Sequence, residues 1–455
     1  MKKLLYAVLT LVLSCSLICG CADNGTEQSD NGIKPETTLL DSANPVTLTM
    51  WHVYGEQADS PMNLLIKEFN DTVGEEKGVV VNVTNVSSSS KINNQLYASV
   101  EGKAGALDMP DIFSCHTTTA VTIGPDKLVD FNKYFTADEM TKYVPAFVED
   151  GTMDGRLAVF PVSKSTYALF INGSQFEKFS GDTGVTYDSL STWEGFFDVA
   201  EKFYEWSGGK TFCAFDYLVR HMELDVLGLG GEVNYTNNGW YDMNDENIRN
   251  SFLKFAEPIS KGYIGVSDLY ANTQVMTGEV IAGIGSTAAI TYYNDTVTYP
   301  DNTTEPTNLK VLPLPKTGGA VEYMPQTGVG IAAYYTTDQK AEAASVFLRW
   351  FTEGQRNLDF VVETGYMPVN NDAYGVIDTY GFKNDGYASL FDAIKIMRDE
   401  YTAVVRPDIE GFYGKTNALY GGMREIQKNI GQRISDGEDA EVILNEIWEL
   451  FASIK

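Results

Sequence analysis

Histidine is almost missing from this 455-residue chain: His52, His116 and His221 are the only three, and no His-Glu-x-x-His spacing exists to hold zinc. Cysteine is also scarce. Of the five, three fall within the first 21 residues, so Cys115 and Cys213 alone remain in the body and no disulfide framework is implied. Two buried free thiols are expected there. Positive charge is the third shortage, with 33 Lys and Arg against 62 Asp and Glu, a formal charge of −29. That balance excludes nucleic acid and adhesion to anionic lipid as roles for the body, and mainly implies solubility. Beyond the first 20 residues there is no apolar run of the roughly 20 residues that would span a bilayer, and no internal repeat.

What is present begins at the N-terminus. Met1-Lys2-Lys3 is a short basic start, Leu4 to Ile18 is apolar, and Ile18-Cys19-Gly20-Cys21 sets small residues before a cysteine. This is the pattern of a lipoprotein signal peptide over 1–20, cleaved so that Cys21 carries the acyl groups, palmitate among them. Loss of Lys2 and Lys3 takes the formal charge to −31. Residues 21–44 are Asp, Asn, Gly, Ser and Thr with few apolar side chains, so a tether that buries little is expected. A diacyl anchor at Cys21 would hold the protein to the outer face of the membrane.

About 410 residues follow, too many for one core, so two lobes are expected. Strand-like and helix-like segments alternate, the pattern of an α/β protein. Val46, Leu48 and Met50 alternate with threonines as in a strand. Ser60-Pro61 then reads as a helix start, with Leu64, Leu65 and Phe69 at helical spacing. Val79 to Val83 is a second strand, Ile92, Leu96 and Val100 line a second helix, and Met109 to Phe113 is a third strand, so the opening half is a βαβαβ unit. Leu444, Ile447, Phe451 and Ile454 mark an amphipathic terminal helix.

Trp51-His52, Met109-Pro110-Asp111-Ile112-Phe113, Phe160 to Thr166 leading into Phe170-Ile171-Asn172, Thr192-Trp193-Glu194, Gly278-Glu279 before Gly285-Ser286, Val311-Leu312-Pro313-Leu314-Pro315, and Thr364-Gly365-Tyr366-Met367-Pro368-Val369 occur in one order. Taken together they resemble the family 1 extracellular solute-binding proteins, the binding lipoproteins of ABC importers for sugars and related polyols. The resemblance implies a periplasmic-binding-protein-like α/β fold with the ligand cleft between two lobes joined by crossing strands. By analogy the N-terminal lobe is 45–161 plus 313–351 and the C-terminal lobe 162–312 plus 352–455, with crossings near 160–165, 312–316 and 350–355.

Ligands of such sheets sit at the carboxyl ends of strands, which singles out the residues just after each one. Trp51 could stack on a sugar ring and His52 donate to a hydroxyl, or the pair could cap the core. Ser88, in Ser87 to Ser90, and His116 follow the second and third strands; a plain N-cap explains the serines equally well. Ser165 lies at the first crossing, where the resemblance implies a ligand-contacting serine. Asp216 and Arg220, four apart, read either as an i, i+4 ion pair or as a clamp on vicinal hydroxyls. Ser286 follows Gly283 and Gly285, Gly328 permits close approach to the backbone, and Tyr366 sits in a Gly-Tyr-x-Pro turn. Arg406 and Glu410 fall in a loop-like segment, and Arg406 resembles an arginine of glycerol-3-phosphate-binding relatives.

The expected function is capture of an extracellular carbohydrate by hinge closure and its delivery to ABC permease subunits, by a monomer without cofactor or metal. A glycerol-3-phosphate or glycerophosphodiester binder is the alternative in the same class. A surface enzyme acting on glycans is the alternative in another. Against it, 62 acidic residues pair by chance, and Gly285-Ser286 lacks the Gly-x-Ser-x-Gly turn of a hydrolase nucleophile. Asp242 to Glu246 lacks the central glycine of a calcium loop.

Overall fold

Hydrophobic runs of period two and 3.6 alternate along the chain, and the elements they form gather into two mixed five-stranded sheets with helices packed around them. A computed structural model describes residues 38–55, 60–268, 270–407 and 409–454. Cys21, the expected signal peptide and most of the expected tether lie outside the described residues. No helix among the described residues is long and apolar enough to cross a membrane.

The first sheet takes its strands in the order Val79–Val86, Val46–His52, Ile112–Cys115, Gly330–Ala333, Val159–Pro161. The first three are parallel, in register from Val46 opposite Val79 and Met50 opposite Ile112, while Gly330–Ala333 runs antiparallel between its neighbours. The expected βαβαβ opening is present, with helices Pro61–Phe69 and Ser89–Val100 between the strands. Ser60 caps the first of these through Asn63 N–H, and Pro61 occupies its first turn. The third strand starts three residues later than expected, at Ile112. Phe131, Phe135 and Phe160 pack as a ring cluster beneath this sheet, Phe135 and Phe160 stacked with centroids 4.5 Å apart.

The second sheet has the order Lys310–Leu312, Tyr167–Ile171, Ala282–Ser286, Cys213–Phe215, Ile264–Val266. Tyr167–Ile171 is antiparallel to both neighbours, and the remaining pairs are parallel. Trp193, Phe196, Phe215 and Phe255 fill one side of it. The terminal helix Ala440–Ser453 buries Ile443, Ile447 and Phe451, and Phe451 stacks on Phe252 at 3.9 Å. Asp245, inside the faint calcium-like run, caps the helix Glu246–Ser260. Cys115 and Cys213 sit one in each sheet, buried and unbridged.

Three segments run side by side between the sheets. Lys164 pairs with Met367, and Ser165 with Thr327. In the middle segment Lys316 N–H donates to Ser191 O, and Glu322–Pro325 forms a parallel pair with Tyr401–Val404. The last segment touches both sheets. Asn357 donates to Val162 O and Asn371 N–H to Lys142 O, while Gly365 lies against Thr287 and Ile290, and Ser389 accepts from Val311 N–H of the second sheet.

Candidate ligand-binding cleft

Parallel strands leave unpaired backbone groups at their carboxyl ends, and in this molecule those of Cys213–Phe215 and Ile264–Val266 open on a cavity of about 320 Å³. Its lining is tyrosine and charge: Tyr167, Tyr217, Tyr270, Tyr413 and Tyr420 with Asp216, Asp268, Arg220, Arg406 and Arg424. Tyr217, Tyr270 and Tyr413 are exposed at 38, 58 and 78%. Exposed aromatic rings gathered at one cavity offer faces on which an apolar ring face can stack. Tyr167 supports Tyr217 from below, the rings stacked at 5.1 Å and 18°.

Asp216 anchors the floor. Its Oδ1 accepts from Ala271 N–H at 2.7 Å, and a Cβ at Gly285 would lie 2.4 Å from Oδ2, so a side chain there would displace the Asp216 carboxylate. Burial pushes the Asp216 carboxyl up to about 6, with the Ala271 amide and Ser267 pulling it back. The expected Asp216–Arg220 pairing is not formed. The helix begins at Leu218, leaving Asp216 outside it, and Arg220 Nη1 instead binds Glu223 at 2.6 Å while Nη2 donates to Val404 O at 2.7 Å.

The remaining sequence-selected residues divide. Arg406 lines the same cavity, its guanidinium 4.4 Å above the Phe412 ring and 3.6 Å from Glu223. Glu410 is exposed and does not line it. Ser286 is half-buried at the start of a 3-10 turn, its Oγ accepting from Ala288 N–H. Ser165 is hydrogen-bonded to Thr327, Oγ to Oγ1 2.6 Å, and Gly328 next to it has φ +98° with Ser163 O 3.1 Å from where a Cβ would be. Tyr366 faces Tyr54 edge-on at 6.0 Å, and Tyr54 Oη is 2.9 Å from Ser163 Oγ.

On the first sheet the geometry favours the structural readings. His52 is fully buried; Nε2 lies 3.1 Å from Asn63 Oδ1 and Nδ1 accepts from Tyr54 N–H, with burial lowering its pKa. Trp51 is buried and donates to Thr84 Oγ1 at 3.0 Å. Ser88 is an exposed N-cap residue, and His116, half-buried, precedes the helix Thr117–Ile123. Burial lowers the His116 pKa, as does the nearby Lys164 cation, itself paired with Asp150 at 2.5 Å.

Sequence reasoning missed Tyr270, Asp268 and Arg424, and passed over Tyr217 and Tyr413 although each neighbours a selected stretch. The available signal was an aromatic immediately after a strand, as Tyr217 follows Cys213–Phe215. A larger hollow, about 700 Å³, lies at the opposite end of the second sheet between Trp206 and Tyr299. One of its carboxylates, Glu305, is already engaged by Gln175, Lys178 and Tyr299.

Residues 65–386 match the family model of bacterial extracellular solute-binding proteins. No curated protein sequence matches the chain. Among solved structures it is similar to the cyclic alpha-maltosyl-1,6-maltose binding protein of Arthrobacter globiformis, at 16% identity, with TM-score 0.63 over 90% of this chain and 99% of that one. An ABC substrate-binding protein of Listeria monocytogenes in complex with cycloalternan gives 13%, 0.60, 90% and 98%. A Mycobacterium tuberculosis protein in complex with glycerophosphocholine gives 16%, 0.60, 90% and 98%.

Proposed function

Since the chain belongs to the bacterial extracellular solute-binding proteins, we propose that it captures a neutral carbohydrate outside the cytoplasm and hands it to an ABC permease, without making or breaking a bond. The carrying observation is the cavity in which exposed Tyr217, Tyr270 and Tyr413 surround Asp216. Rings stack on the apolar faces of sugars, and a carboxylate accepts two hydroxyl donors. Two proteins of similar fold, the cyclic alpha-maltosyl-1,6-maltose binding protein and the one in complex with cycloalternan, bind saccharides, which agrees with this reading. Closure would come from contacts that the ligand makes to both lobes, the lobes dividing near Ser165, Thr327 and the 352–389 stretch.

A thermal-shift panel of mono- and oligosaccharides on the purified protein tests the proposal, because a ligand at a hundredfold excess over Kd stabilises by about 2.7 kcal/mol. A panel with no stabilising saccharide sinks it. A product formed from any member favours a glycan-acting enzyme instead. A phosphorylated polyol is the second reading, favoured by the three arginines in the cavity. Anchoring through Cys21 belongs to the same proposal: Cys21→Ala should block lipidation and leave the protein either shed or held by an uncleaved signal, and a native protein that stays in the aqueous phase on detergent partitioning removes the anchor. The protein would act as a lipid-anchored monomer on the outer membrane face, its permease subunits recognising the closed form.

A further inference from the structure

Three guanidiniums line the cavity, an arrangement suited to an anion, yet none is presented bare. Arg424 lies 3.6 Å from Asp268 and donates to Ser267 O. Arg220 and Arg406 both turn back toward Glu223. Glu223 is fully buried beneath the cavity and is not among its lining residues. Its Oε2 takes Arg220 Nη1, and its Oε1 takes the hydroxyls of Tyr235 at 3.1 Å and Tyr241 at 2.6 Å, with Arg406 Nη1 3.6 Å away. Four side chains from three separate segments therefore converge on one carboxylate. With Asp216 and Asp268, three carboxylates match three guanidiniums around the cavity.

We infer that Glu223 is the positioning residue that sets ligand charge at this site: by holding Arg220 and Arg406 from behind, it turns a cationic pocket into a neutral one that takes polyhydroxylated, uncharged ligands and rejects phosphates. The inference rests on the carbohydrate reading above for the identity of the neutral ligand, but not for the charge balance. Arginine binds phosphate through two parallel N–H donors, and Arg220 has one nitrogen committed to Glu223 and another to Val404 O. Removing the negative charge while keeping the shape would leave one net positive charge and loosen the hold on Arg220 Nη1 and on Arg406, while Arg220 Nη2 stays on Val404 O.

Glu223→Gln, which keeps side-chain length, is titrated calorimetrically with inorganic phosphate and with glycerol 3-phosphate at low and high salt. The variant should bind both anions on the order of ten- to a hundredfold more tightly than wild type, with an affinity that falls steeply as salt rises. Glu223→Asp should restore the wild-type preference, whereas a merely structural role would weaken all ligands together and leave the salt dependence flat. A folded Glu223→Gln whose anion affinity is unchanged overturns the inference. Wild type alone also decides if the variant does not fold: micromolar, salt-sensitive binding of inorganic phosphate by wild type overturns it. Anion gain by the variant with no saccharide bound by wild type supports the role of Glu223 and removes the carbohydrate reading.

Discussion

Asp216→Asn should make the protein more stable at neutral pH while impairing it. The carboxyl is pushed from an ordinary 3.8 to about 6 by burial. At about 1.36 kcal/mol for each pH unit, a rise of that size corresponds to about 3 kcal/mol, and partial solvent access reduces this to roughly 2 kcal/mol. A raised carboxyl pKa helps the folded state only while the group is protonated. Its contribution is complete below about pH 4 and is lost as pH rises through 6, so ionised Asp216 is a cost at pH 7.5. The asparagine variant has no such proton to lose, and its Oδ1 can still accept from Ala271 N–H. Urea denaturation at pH 4, 5, 6 and 7.5 should show the variant more stable by about 2 kcal/mol at pH 7.5, the advantage shrinking to nothing near pH 4. Its saccharide affinity should fall, because one hydroxyl acceptor has become a donor. An advantage that is the same at every pH, or absent at pH 7.5, would contradict this linkage.

Tyr217→Ala should weaken saccharide binding by about 1 to 2 kcal/mol, roughly five- to thirtyfold by calorimetry. Lys164→Met leaves Asp150 without its partner in a buried setting, and thermal denaturation should register a loss of about 3 to 5 kcal/mol. At Gly328, φ of +98° and the close Ser163 carbonyl make alanine costly by about 1 to 3 kcal/mol in chemical denaturation. Small-angle scattering should show compaction when a stabilising saccharide is added; an open free form that stays unchanged contradicts hinge closure.

The opening βαβαβ unit was legible because alternation at Val46 to Met50 and the valine run at Val79 to Val83 are local signals, as are Ser60-Pro61 at the helix start. The site was less so. Tyr217, Tyr270 and Tyr413 come from three segments and stand among 26 tyrosines, and nothing short of tertiary structure separates them from core rings. Asp216 and Arg220 have helical spacing, but the turn at Tyr217 delays the helix, and a buried carboxylate at i+3 outcompetes one outside it. His52 closes the strand Val46–His52, near where a ligand-binding residue would stand, yet Asn63 of the next helix lies against it. The pairing of Glu322–Pro325 with Tyr401–Val404 joins segments some 80 residues apart, beyond any local pattern.

The strand Gly330–Ala333 lies between Ile112–Cys115 and Val159–Pro161, two strands made long before it. Until residue 333 has left the ribosome, the first sheet has a gap at that position and two unsatisfied edges facing it. The N-terminal lobe therefore cannot mature as the chain emerges. It must wait for a segment separated from its neighbours by about 170 to 215 residues, a loop closure that slows folding. A nascent chain halted before that point would remain protease-sensitive and open to being threaded elsewhere, which is the state a polypeptide needs when it must pass a membrane before it folds.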